Sequence, residues 1–182
     1  MDERSASRLT YAPSLVQPVA AGDHLLGRLE APYLLVEYGD YECPYCRAAQ
    51  PEIEAVLGAM GEDVALVFRH FPLSNIHPHA LKAAEAAEAA GAQGSFWEYH
   101  ALLFQNQPAL AVPELLSYAG TLGLDEERFA AELAAGSHGS KVHQDFRSGI
   151  LSGVNGTPTF FINGIRHDGG NDAASLLRAM RG

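Results

Sequence analysis

The 182-residue chain is 47% hydrophobic and 19% charged, and its 22 Asp and Glu outweigh 12 Lys and Arg for a formal net charge of −10. That balance excludes the basic field that nucleic acid or an anionic membrane surface requires, and reads as solubility. At this length one domain buries a core without disulfide staples, and no apolar run approaches the roughly 18 residues of a membrane span, so neither nucleic-acid binding nor membrane insertion is expected.

Residues 1–31 form a polar, proline-containing lead-in. Asp2 and Glu3 spoil a positively charged start, and Pro13, Gln17 and Pro18 interrupt any apolar stretch, so no secretory leader is visible. A cytoplasmic location follows for the chain as it stands; a periplasmic or secreted one follows if Met1 stands after a removed leader. "PYLLVEY" (Pro32 to Tyr38), bounded by Gly39 and Asp40, predicts a buried strand. From Pro44 the period changes: Ala48, Ala49, Ile53, Val56, Leu57 and Met60 recur at helical spacing until Gly61. "DVALVFRHFPL" (Asp63 to Leu73) predicts a second strand, so Tyr33 to Phe71 is a strand–helix–strand unit with a right-handed crossover and parallel strands.

The next section predicts helices only, near 79–91, 95–105, 112–121, 126–134 and 138–152. The alanine-rich "ALKAAEAAEAAGA" is a strong helix former whose small side chains pack closely. "TPTFFIN" (Thr157 to Asn163) then returns to strand, Gly164 turns the chain into a short partner, and Asp172 caps a last helix over Ala173 to Met180. The order is β-α-β, a helical block, then β-β-α.

Cys43 and Cys46 are the only cysteines, and they stand in a C-x-x-C at the strand-to-helix junction. A structural zinc site needs four ligands. No second cysteine pair exists, and the eight histidines are scattered; His77 and His79 come closest to ligand spacing, in a proline-broken loop. A redox dithiol has a mechanism. Pro44 suits the first helical turn, so Cys43 faces unpaired N–H groups and the positive end of the helix dipole, which lowers a thiol pKa. Cys46, one turn inward, can reach back to it. One thiol is expected exposed and activated, the other sheltered and resolving. Thr157-Pro158, directly before a strand, is either a plain strand starter or a cis bond; beside this dithiol helix, cis is expected. Trp97 and His70 read as packing residues rather than substrate contacts.

With "GDHLLGRLEAPYLLVEYGDYECPYC", "VFRHFPL", "GSFWEYHALLF" and "GVNGTPTFFING" in this order, the chain resembles the DsbA-like thiol–disulfide oxidoreductases. The resemblance implies a thioredoxin-like α/β fold over 1–77 and 153–182, with a helical domain inserted over 78–152. It implies Cys43 as attacking thiol, Cys46 as resolving thiol, Pro158 as cis-proline, and Thr157 beside it offering backbone to an extended substrate. Glu37, six residues before Cys43, maps to a buried acid beneath the dithiol and would accept the Cys46 proton; its alternative is to point to solvent. Tyr45 stands where the family's periplasmic oxidants carry His, and "CPYC" is the spelling of glutaredoxins. It is read as a substrate contact.

The function expected is exchange of disulfides with protein or small-thiol substrates, glutathione included, with an unidentified redox partner recycling the site. No cofactor beyond the dithiol is implied. A glutathione-dependent reductase or isomerase, and a redox-sensing or chaperone-like binding module without turnover, are the alternatives.

Overall fold

The computed structural model describes residues 13–182; the reading of Asp2 and Glu3 lies outside them. Strands β1 (His24–Leu26), β2 (Tyr33–Gly39), β3 (Val64–His70), β4 (Thr159–Ile162) and β5 (Ile165–Arg166) form one sheet in the order β1-β3-β2-β4-β5. β2 and β3 are parallel, joined through helix α1 (Pro44–Met60), and every other pairing is antiparallel. Between β3 and β4 come α2 (Ala80–Gly91), α3 (Phe96–Gln105), α4 (Val112–Thr121), α5 (Glu126–Ala135) and α6 (Gly139–Leu151); α7 (Ala173–Arg181) follows β5. This is a thioredoxin-like fold, with the five helices placed in the connection before β4.

β1 falls inside the stretch read as a lead-in. Its three residues pair with Leu66 to Phe68 of β3. A strand this short carries too little alternation to be distinguished from a polar segment by period.

The two-residue period of β2 sorts its side chains between two cores. Leu35 faces α1 and α7, packing with Ile53, Val56, Leu66, Phe160, Leu176 and Met180. Val36 and Tyr38 face the other way, with Val67, Phe71, Val154 and Phe161. Glu37 alternates with them, so it shares the Leu35 face beneath α1. A third core fills the helical block and reaches the cysteines: Phe96, Tyr99, Leu103, Phe104 and Phe129 pack with Tyr41, Phe68 and the alanines of α2. Those alanines let α2 sit close, as its small side chains predict. At Gly149 of α6 a Cβ would lie 2.7 Å from the Phe71 ring, so only glycine lets that helix meet the sheet.

Three polar clamps join the layers. The Arg69 guanidinium, fully buried on β3, donates to both Asp23 oxygens at 2.8 and 2.9 Å and to the carbonyls of Gln17 and Pro18. One Glu88 oxygen on α2 receives His24 Nε2 and His70 Nε2, each at 2.8 Å. Asp145 on α6 accepts the His70 backbone N–H. His70 is therefore a packing residue, as read. Its His–His–Glu cluster has metal-type donors. Its Nδ1, however, is buried without the outer partner that ligating imidazoles have.

Burial alone would raise the Asp23 carboxyl, but the hydrogen bonds from Arg69, the Ala20 backbone N–H and the Arg69 and Lys141 charges together outweigh it and hold Asp23 below the ordinary carboxylate range. The pair therefore stabilises the fold above the unfolded carboxyl pKa, and this is lost as pH falls through the folded value. Asp23→Ala, which leaves a buried guanidinium unpaired, should cost about 3–5 kcal/mol at neutral pH, read as a lower urea midpoint, and the deficit should shrink on acidification.

Candidate active site

Cys43 is the N-cap of α1 and Pro44 its first helical residue. The thiols are free. The Cys43 Sγ lies 3.4 Å from the Thr157 carbonyl oxygen, across a cis Thr157-Pro158 bond. The expectation of an exposed first thiol is corrected here. Cys43 is only 3% exposed and Cys46 fully buried, because the Thr157 carbonyl and the third core close over both. Tyr45, between them, is 70% exposed.

The environments push the two thiols apart. Cys43 is lowered to about 5, first by the hydrogen bond that Cys46 donates to its thiolate, against burial, and then by the Thr157 side chain and the backbone N–H groups of Cys46 and Tyr45. The Thr157 hydroxyl is buried with no other partner, so it can turn to that charge. Cys46 is pushed far up, first by burial, then by the bond it donates to Cys43 and by the nearby charges of Glu37 and Cys43. The Asp40 backbone N–H, 3.4 Å from its Sγ, is the countervailing contact.

Glu37 is fully buried, so the solvent-facing alternative does not hold. Neither of its oxygens has a hydrogen-bond partner. Burial and then the neighbouring Cys43 charge raise it to about 8, with Gln50 pulling the other way. At neutral pH and with both thiols reduced it is a neutral acid, which removes most of the cost of an unpaired buried carboxylate.

Other residues reach the site from far along the chain. The Gln107 amide donates to the carbonyls of Tyr41 and, at 3.2 Å, Cys43, bracing the loop before α1. The Gln50 amide nitrogen donates to the Cys46 carbonyl at 3.2 Å, and its oxygen lies 3.2 Å from His100 Nε2; His100 Nδ1 lies 3.0 Å from the Tyr41 hydroxyl. A cavity of about 490 Å³ between α1 and α3 is lined by Gln50, His100, Trp97 and Phe104 among others. Trp97 packs against two of the cores, as read, and donates its N–H to the Leu25 carbonyl.

Asp40 and Glu42 do not stand as free charges beside the thiolate. Asp40 accepts from Glu42 N–H, Leu73 N–H and His77, and Glu42 accepts from His79. The two loop histidines with ligand-like spacing thus serve the two acids flanking the motif.

Fold and site together define a thioredoxin-fold protein with a C-x-x-C dithiol at a helix start, facing a cis-proline. A family described as Thioredoxin matches residues 20–181, and the chain belongs to it. The oxidised crystal structure of BdbD from Bacillus subtilis superposes with a TM-score of 0.83 at 25% identity, over 93% of this chain and 96% of that one. A thioredoxin-like oxidoreductase from Silicibacter pomeroyi DSS-3 superposes with 0.77 at 28% identity, over 90% and 95%. In sequence the chain is 47% identical over 158 residues to Na(+)/H(+) antiporter NhaA 1 of Salinispora arenicola, covering 87% of this chain and 24% of that protein. It spans about a quarter of the length of such relatives. Among the described residues no helix is long and apolar enough to cross a membrane.

The Cys43 thiolate should show itself in alkylation. The rate with iodoacetamide should rise with pH through a midpoint near 5. In Cys46→Ala, which removes the largest stabilising bond, the midpoint should move toward the ordinary thiol value near about 8.5.

Proposed function

We propose that the chain exchanges disulfides with protein substrates through the Cys43–Cys46 pair, small thiols such as glutathione being the lesser substrates. The observation that carries this is the opposite displacement of two adjacent thiols above an unpaired buried acid. The Cys43 thiolate attacks a substrate disulfide, forming a mixed disulfide and releasing one substrate thiolate. Cys46 then gives its proton to Glu37 and attacks the Cys43 sulfur. The Cys43–Cys46 bond forms, the Cys43–substrate bond breaks, and the second substrate thiol leaves: substrate reduced by two electrons, enzyme oxidised. Run backward, the same steps oxidise a substrate dithiol. An unidentified redox partner restores the starting state, and no cofactor enters.

The charge balance supports Glu37 as the base. In the mixed disulfide Cys43 carries no charge, so one of the two effects that raise Glu37 disappears. The carboxyl is then more readily ionised at the step that needs it. The Thr157 backbone before Pro158 offers an edge to an extended peptide, and the exposed Tyr45 ring lies where that peptide would pass.

The antiporter relatives bear on partners. Ion transport needs membrane-spanning structure, so we assign the shared quarter of those proteins to redox chemistry and their transport to the rest. The trapping experiment is the test of the whole reading. Cys46→Ala should accumulate covalent complexes through Cys43 that dithiothreitol releases, and Cys43→Ala should lose both trapping and insulin reduction. Substantial turnover by Cys43→Ala would overturn it.

The redox poise follows from the thiolate. Whatever stabilises it stabilises the reduced form. A thiol near 5 lies between the values of about 7 and about 3.5 found in mild and strongly oxidising dithiols. With no positive side chain inside the motif, the potential should fall at roughly −270 to −180 mV, measured by equilibration with glutathione buffers. A value near about −120 mV would instead mark a dedicated oxidant.

A further inference from the structure

Glu37 has no hydrogen-bond partner of its own, yet one polar side chain, Gln50, favours its ionised form. The effect depends on which end of the Gln50 amide faces the carboxyl. An N–H₂ group stabilises a carboxylate; an amide oxygen stabilises the acid. Something must therefore fix the amide, and that something comes from the helical block.

His100 on α3 is 5% exposed, and burial, with the neighbouring His70 and His24, lowers it to about 3, so the ring is neutral. A neutral imidazole has one N–H. Tyr41, fully buried and pushed well above its ordinary value, keeps its hydroxyl proton. The hydrogen bonds then have one consistent direction. The Tyr41 O–H donates to His100 Nδ1 at 3.0 Å, and the His100 Nε2–H donates to the Gln50 amide oxygen at 3.2 Å. The Gln50 nitrogen is left for the Cys46 carbonyl, at 3.2 Å, and the same side chain is the one that favours ionised Glu37. Asn106 and Gln107, the first polar residues after α3, turn to carbonyls elsewhere and do not compete for Gln50.

We propose that His100 is a positioning residue for the proton step: by holding the Gln50 amide with its N–H₂ toward Cys46 and Glu37, it sets how readily Glu37 takes the Cys46 proton. The proposal rests on Glu37 as the base. It gives the helical block a part in the chemistry, because a residue more than 50 positions from the dithiol orients the group beside it. The titratable groups around this chain are Arg47 and Glu54 on α1, which line the same cavity, Cys43 and Cys46 at the start of that helix, Tyr41 before it, Glu37 on β2, His70 on β3, His24 on β1 and Glu88 on α2. The last three form their own clamp, and the proposal leaves it unchanged.

The test is the pH dependence of the resolution step, followed in single turnover as release of a preformed Cys43–glutathione mixed disulfide. Wild type should show one ionisation that Glu37→Gln removes. His100→Phe frees the Gln50 amide to turn its oxygen to the acid, so this ionisation should rise by about one unit, slowing the step roughly tenfold at pH 7 and restoring it at high pH. His100→Gln, which can again donate to the Gln50 oxygen and accept from Tyr41, should recover most of the loss. Gln50→Leu should shift the profile the same way, and adding His100→Phe to it should change nothing further. Gln50→Leu also carries the test by itself if His100→Phe fails to fold. A flat profile in wild type, or one untouched by Glu37→Gln, would remove the base. An intact Glu37 ionisation that His100→Phe and Gln50→Leu leave in place, or additive effects of the two, would overturn the role of His100.

Discussion

Three acids, Cys43, Cys46 and Glu37, share one apolar pocket, and that pocket holds one negative charge comfortably. The rest of the site follows from where that charge rests. With both thiols reduced it sits on Cys43, where the Cys46 hydrogen bond, Thr157 and the first N–H groups of α1 converge on it. Burial first, and then the charge on Cys43, keep Cys46 and Glu37 protonated. When Cys43 is tied up in a disulfide the charge leaves it, and of the two acids that remain Cys46 is pushed far up while Glu37 is raised only to about 8. The flanking acids Asp40 and Glu42 are compensated by backbone N–H groups and by His77 and His79, which keeps two further negative charges from competing with the thiolate.

Much of this was legible along the chain, because local chemistry fixes it. Pro44 after Cys43 announces a helix start, the strand–helix–strand period announces parallel pairing of β2 and β3, and Asp172 caps α7 where expected, its side chain accepting from the Ser175 N–H. The side taken by Glu37 was legible only in part: two positions from Leu35 it shares the face that lies under α1, but the sequence left solvent as its alternative. The low exposure of Cys43 was not, since it comes from a carbonyl 114 positions away. Gln50, His100 and Gln107 gave no signal for the same reason. Their roles are contacts across 50 positions or more, or in the case of Gln50 depend on such a contact, and no period in a sequence records them.

The helices between β3 and β4 do more than cover the dithiol. Gln107 braces the backbone before Cys43, and Phe96, Phe104 and the alanines of α2 bury the ring of Tyr41. His70 on β3, His24 on β1 and Glu88 on α2 lock that layer to the sheet. Such a block surrounds the thiols with low dielectric, and low dielectric magnifies every charge effect described above.

Tyr45 occupies a different position in this economy of charge. Its backbone N–H acts on the Cys43 thiolate, while its ring stands 70% exposed, outside the buried cores. The letter between the cysteines is thus a free variable of the design. Exchanging it leaves the protein's packing alone, and a side chain able to carry positive charge there would draw the thiolate pKa down and the potential up. A single substitution at this one surface site would therefore retune the dithiol while the cores stay as they are.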